Sequence, residues 1–248
     1  MHILALLTDP NAWAALVTLT VLEIVLGIDN LVFLAVLTSR LEGAQARRAR
    51  IIGLSLAFVF RVIMLAGLTW LMGLTAPVVT LFGMGISWRD IILIGGGLFL
   101  IAKATHEIHN EVEARYESEA KPVGASSSAF TMVIAQIVAV DLVFSLDSII
   151  TAIGMVEDIA IMIAAVVIAM IVMFLAANPV GEFIAEHPTT KMLALAFLVL
   201  IGMALVADGF EFHIPRGYIY FAMAFAGAVE FFNVLARRNR RRRSRSQA

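Results

Sequence analysis

Apolar residues in this chain run in blocks of about 20, the length that crosses the hydrocarbon core of a bilayer. Seven blocks stand out, at 12–37, 51–74, 90–105, 129–154, 159–180, 191–207 and 217–236, with polar and charged residues gathered between them. The pattern predicts an all-α, polytopic membrane bundle of about seven transmembrane helices. The third block is short and carries Gly95-Gly96-Gly97, a place for close helix approach or a bend. Asn178-Pro179 ends or kinks the fifth. Pro10-Asn11 and Ser126-Ser127-Ser128 read as start signals for the first and fourth. Trp13, Trp70, Trp88, Tyr218 and Tyr220 fall near block ends, as interfacial anchors do.

Two blocks are interrupted by the same polar pattern. Glu23-Ile-Val-Leu-Gly-Ile-Asp29-Asn30 lies in the first and Asp141-Leu-Val-Phe-Ser-Leu-Asp147-Ser148 in the fourth. Each has an acid, five residues, a second acid and a small polar residue. A carboxylate at bilayer depth costs about 2.5–3.5 kcal/mol on insertion scales, so each one calls for a functional reason. The two spans are three helices apart and therefore cross in opposite directions. Spans one to three and four to six then form inverted halves, roughly 12–105 and 129–207, with the seventh helix at 217–236 appended. Inverted repeats with polar sites at the midplane are a common transporter plan. Residues 1–236 read as one transmembrane domain and 237–248 as a basic cytoplasmic tail.

Helix geometry limits what one motif does alone. Glu23 and Asp29 are separated by about 9 Å along a straight helix axis, too far to wrap one ion. Two antiparallel helices place Glu23 level with Asp147 and Asp29 level with Asp141. The expectation is two stacked carboxylate pairs, or one merged site if the helices unwind near Gly27 and Ser145. Irregular backbone at that depth is tolerated only where it lines a cavity.

The candidate ligands are Glu23, Asp29, Asn30, Asp141, Asp147 and Ser148, with Gln136 as a further oxygen donor. An all-oxygen set suits hard divalent cations such as Mn²⁺, Ca²⁺ and Mg²⁺. Four acids repel an oxyanion. The same acids can carry protons, so cation/proton exchange stays open. Arg61, inside the second span, reads as a counter-ion for one acid, as a structural salt bridge, or as a snorkelling side chain.

Composition supports the membrane class. The chain has 248 residues, is 61% hydrophobic and only 15% charged, against about a quarter charged in soluble domains. Cysteine is absent, which leaves no disulfide, thiolate metal site or redox pair. Met1-His2-Ile3-Leu4 lacks the basic start and cleavage site of a signal peptide, so the first span is expected to act as an uncleaved insertion signal. Cytoplasmic loops carry excess Lys and Arg. With seven spans, Arg40, Arg47, Arg48, Arg50, Lys103, Arg115, Lys121, Lys191 and seven tail arginines between Arg237 and Arg245 share one side; the other has only Arg89 and Arg216. The N-terminus is therefore expected outside and the C-terminus in the cytoplasm. The arginine tail is read as an orientation signal that meets anionic lipid, with no nucleic-acid partner.

Both motifs resemble the signature of the TerC family of integral membrane proteins. The similarity extends to Phe232 and includes His187-Pro188, Lys191-Met192-Leu193-Ala194-Leu195 and Pro215-Arg216-Gly217-Tyr218-Ile219-Tyr220-Phe221-Ala222-Met223. It is greatest for short bacterial members without appended regulatory domains. The resemblance implies a seven-helix inner-membrane protein with inverted three-helix halves. It also implies manganese efflux, or supply of metal to secreted enzymes, with Glu23, Asp29, Asn30, Asp141, Asp147 and Ser148 as the metal residues. The family's association with tellurite resistance then follows indirectly, through metal or envelope physiology.

The expected function is divalent-cation transport by alternating access, with Mn²⁺ as substrate and no permanently bound cofactor. A second reading is a non-transporting partner of the secretion machinery or of metal-requiring exported proteins. A third, an intramembrane aspartic protease, lacks its usual Gly-x-Gly-Asp context, since the acids follow Gly27-Ile28 and Ser145-Leu146. The chain is accordingly read as a non-enzyme with no catalytic residue. Elsewhere, His106 to Glu113 is expected to continue the third helix into solvent, Glu119 to Ser128 to be a linker, and Asp208, Glu211 and His213 to form a polar loop or a vestibule. Glu230 and Asn233 face one way in the seventh helix, toward the pathway's inner mouth or a neighbouring helix.

Overall fold

A run of apolar residues in a bilayer satisfies its backbone by coiling into a helix, and among the described residues seven helices are long and apolar enough to cross a membrane. The computed structural model describes residues 8–39, 41, 43–81, 84–113, 127–153, 156 and 158–246. In chain order the helices are α1 (Pro10–Thr38), α2 (Gly43–Ala66), the short α3 (Leu68–Gly73), α4 (Trp88–Glu113), α5 (Ser127–Ile153), α6 (Ile159–Glu186), α7 (Pro188–Gly209) and α8 (Arg216–Ser246). Strands β1 (Pro77–Leu81) and β2 (Met84–Ser87) form an antiparallel hairpin between α3 and α4.

Several boundaries differ from the hydropathy reading. The loop after α1 is short, and Arg47, Arg48 and Arg50 lie in the first turns of α2. The third span runs to Glu113 and is not short. Its polar end is held by charge pairs: Lys103 Nζ is 3.1 Å from Glu107, Lys191 Nζ 2.6 Å from Glu111 and His109 Nε2 3.1 Å from Glu113. α6 does not stop at Pro179 but continues to Glu186. α8 carries its backbone past Ala236 into the basic segment. The hairpin was unforeseen. Arg40, Arg115, Lys121 and the expected linker up to Ser126 lie outside the described residues, as do the side chains of Arg237–Arg245.

Side-chain caps start α1 and α6. The Asp9 side chain accepts from Asn11 N at 2.9 Å, with Pro10 in the first turn of α1. Asp158 does the same for Ala160 N at the start of α6.

The packing has an internal exchange rule. α1 packs chiefly on α6, α5 on α2, and α4 on α7. Swapping α1 with α5, α2 with α6 and α4 with α7 maps the first contact onto the second and the third onto itself. The α1–α5 and α2–α6 contacts also map onto themselves, and α1–α7 maps onto α4–α5. These contacts fit two three-helix halves exchanged by a two-fold, while the α1–α2 and α6–α7 contacts have no comparable counterpart. α8 packs on α7 and leaves Phe221, Phe225, Phe231 and Phe232 exposed, where lipid is the natural neighbour. At the α4–α7 crossing, Gly97 and Gly202 let the backbones meet: a Cβ on Gly202 would lie 2.8 Å from Gly97 O. Gly96 faces Val143 of α5, and a Cβ on Gly95 would meet open space.

Candidate ion site

Glu23 and Asp29 on α1, and Asp141 and Asp147 on α5, are 2–7% exposed. Charged side chains are almost never buried so deeply without partners, so the partners define the site. Asn30 Nδ2 donates to Asp141 Oδ1 at 3.1 Å, and Ser145 Oγ donates to Asp141 Oδ2 at 3.1 Å. Arg61 Nη2 lies 2.9 Å from Glu23 Oε2 and donates to Ser148 Oγ at 2.5 Å. The contact with Glu23 is close but off-angle for a hydrogen bond. Residue number rises from Glu23 to Asn30 while it falls from Ser148 to Asp141, so the two helices run antiparallel with the motifs in register.

The carboxylates do not face one another as bare pairs. Two like charges at close range in low dielectric oppose joint ionisation, and guanidinium groups stand among them instead. Arg61, fully enclosed, serves Glu23 and is within electrostatic range of Asp141. Asp147 receives two arginines: Arg89 Nη2 donates to Oδ1 at 3.0 Å, and Arg216 pairs with Oδ2. Nor do the helices unwind. α1 runs unbroken through Gly27 and α5 through Ser145, because Gly27 serves packing: a Cβ there would strike Met173 of α6. Among the described residues, no three His, Asp or Glu side chains converge closely enough to hold a metal ion. Glu23, Asp29, Asn30, Asp141, Asp147 and Ser148 thus occupy one region without forming a closed coordination shell.

Among the described residues, Asp29 is the one of the four acids with neither an arginine ion pair nor a side-chain hydrogen bond, although Arg216 stands within electrostatic range of it. Its Oδ1 is buried and makes no hydrogen bond. It lines a chamber of about 20 Å³ with Phe144, Ile201, Leu205, Arg216 and Tyr220, room for about one water-sized occupant. A larger cavity of about 500 Å³ opens beyond, lined by Thr75, Arg89, Asp147, Asp208, His213 and Arg216. Asp208 and His213 therefore belong to a vestibule, which Glu211 does not line. Glu230 instead bonds Thr189 and Thr190 on α7.

Local structure explains why Arg89 and Arg216 arrive here. Ser87 Oγ accepts from Asp90 N at 3.2 Å and Asp90 Oδ2 accepts from Ser87 N at 2.9 Å. This reciprocal cap fixes the start of α4, and Arg89 sits within it. The turn after α7 bends through Glu211 at φ 61°, and Pro215 leads into α8 with Arg216 as its first residue. Sequence reasoning counted both arginines as loop charges and missed them as site residues. The signal was available: they are the only basic residues on the side that the charge rule leaves poor in Lys and Arg.

A family model described as "Integral membrane protein TerC family" matches residues 8–245. The chain is 51% identical over 231 residues to the UPF0053 inner membrane protein YgdQ of Escherichia coli (strain K12), covering 93% of this chain and 96% of that protein. It is 50% identical over 234 residues to a UPF0053 protein of Haemophilus influenzae, covering 94% and 97%. The UPF0053 inner membrane protein YoaE of Escherichia coli matches at 50% over 233 residues, covering 94% of this chain but only 45% of YoaE; the chain spans less than half of that longer relative. No solved structure matches. The chain belongs to the TerC family of integral membrane proteins.

Proposed function

We propose, taking TerC membership as the premise, that this protein transports a divalent metal cation across the bacterial inner membrane, and that the cation is Mn²⁺ moving outward. The observation that carries the reading is Asp29: a buried carboxylate whose Oδ1 lacks a hydrogen bond, facing a chamber sized for one small occupant. Leaving such a group unpaired costs several kilocalories per mole, on the order of 1–3 for a neutral group and more for a charged one. An ion that returns those interactions supplies the compensation.

The surrounding chemistry favours a hard cation. Glu23, Asp29, Asn30, Asp141, Asp147 and Ser148 offer only oxygen acceptors and one amide. In this reading Asp29 and Asp147 ligate the ion, Glu23 and Asp141 ligate it or exchange protons, and Asn30 and Ser148 complete the shell. Arg61 is the counter-ion of Glu23 when the metal is absent. The exchange-related halves rock against each other to open the site to either face. The protein acts as a transporter, with no catalytic residue and no resident cofactor. The N-terminus lies outside and the basic C-terminus in the cytoplasm.

Selectivity is the test. Purified full chain in liposomes should carry Mn²⁺ with Mg²⁺ or Ca²⁺ present in tenfold excess. Loss of Mn²⁺ movement under excess Mg²⁺ would reassign the substrate, and absence of movement for all three would remove the transport reading.

A further inference from the structure

Arg216 lines both cavities of the site. One is the Asp29 chamber and the other the 500 Å³ vestibule, so Arg216 stands where the two approach each other. It is held there by two acids: it pairs with Asp147 Oδ2, and its Nη2 lies 3.4 Å from Asp208 Oδ2. Asp147 itself is already bridged on its other oxygen by Arg89. Each oxygen of that carboxylate therefore faces a guanidinium group, whose positive charge opposes the approach of a second cation to the same carboxylate.

The two arginines differ in freedom. Arg89 is 18% exposed and stands inside the capped start of α4, with Asp90 Oδ1 3.6 Å from its Nη1. Arg216 is 32% exposed, opens the appended helix α8, and has Asp208 as a ready second partner. A guanidinium that already touches two carboxylates can shift its weight from one to the other without leaving a buried charge unpaired, which is the costly event.

We propose that Arg216 is a tethered counter-cation that closes the Asp29 chamber from the vestibule, yielding Asp147 to the transported divalent ion by moving onto Asp208. This inference rests on the transport reading above and adds a moving part to it. The appended helix α8 thereby contributes to the ion pathway rather than only to packing. The substrate and the arginine compete for one carboxylate, so ion binding and opening of the chamber are the same event. The two effects of mutation then have opposite signs. Removing the competitor exposes Asp147 and strengthens ion binding; removing its alternative seat leaves Arg216 on Asp147 and weakens it.

The experiment is Mn²⁺ titration of the detergent-purified full chain, followed by the electron paramagnetic resonance signal of free Mn²⁺. Arg216→Gln should bind Mn²⁺ about tenfold more tightly than the unmodified protein, as expected if Asp147 is otherwise available about a tenth of the time. Asp208→Asn should bind more weakly, and Arg216→Lys should stay near the unmodified affinity because it keeps the competing charge. A folded Arg216→Gln protein with unchanged or weaker affinity overturns the proposal while leaving transport intact. If Arg216→Gln does not fold, Asp208→Asn decides: unchanged or tighter binding overturns it. An unmodified protein that binds no Mn²⁺ overturns the transport reading and this one together.

Discussion

Asn30 and Asp141 are joined by a 3.1 Å hydrogen bond between α1 and α5, and that bond sets the register of the two acid motifs. It places the end of one motif against the beginning of the other, which is what an antiparallel pair of related helices requires. Replacing Asn30 with Leu removes the donor and leaves Asp141 Oδ1 without it. The expected loss of stability is about 1–3 kcal/mol, read as a lower midpoint of thermal unfolding in detergent. An unchanged midpoint would mean that packing alone sets the register.

Arg61 and Glu23 form a buried ion pair 2.9 Å apart. Breaking one half strands the other charge. Arg61→Leu should therefore destabilise by about 3–5 kcal/mol. The double change Glu23→Leu with Arg61→Leu should recover most of that loss, since neither charge remains. A double-mutant cycle on unfolding midpoints checks this; additive losses would contradict the pairing.

The α4–α7 crossing depends on the absence of side chains at Gly97 and Gly202. Gly97→Val should lower stability by about 1–3 kcal/mol through forced separation of the helices. Gly95→Val, where nothing lies nearby, should cost far less. Comparable losses at both positions, again by thermal unfolding, would argue against close backbone approach.

The absence of cysteine makes orientation easy to read. Phe212 is exposed in the turn before α8 and Arg47 is exposed at the start of α2. Phe212→Cys should react with a membrane-impermeant maleimide in intact spheroplasts, and Arg47→Cys only after the membrane is opened. The reverse pattern would invert the expected topology.

The seven spans were legible because a bilayer demands long apolar runs, and the chain has them. Their ends were less so. Arg47, Arg48 and Arg50 mark where a helix leaves hydrocarbon, not where it begins, so charge read as loop although the backbone was helical. The hairpin at 77–87 hid in an apolar stretch, Val78-Val79-Thr80-Leu81, too short to distinguish strand from span margin by hydropathy. In the site, the carboxylates announced themselves, since an acid inside an apolar block has no bland neighbour. Their partners did not. Arg216 is 69 positions from Asp147 in sequence, and only the return of the chain through α7 brings them together. The arginines were hidden for a related reason: helix geometry sets levels along an axis but says nothing about a cation entering from a third helix.

Asp29 is the residue on which the transport proposal turns. The decisive measurement is Mn²⁺ entry into liposomes holding the purified full chain, followed by quenching of a trapped dye, with Asp29→Asn and Asp147→Asn alongside. The unmodified protein should move Mn²⁺, and both variants should fall by about tenfold or more, about 1.4 kcal/mol, at unchanged fold. Full-rate movement by a folded Asp29→Asn protein would contradict the assignment of Asp29 as an ion ligand.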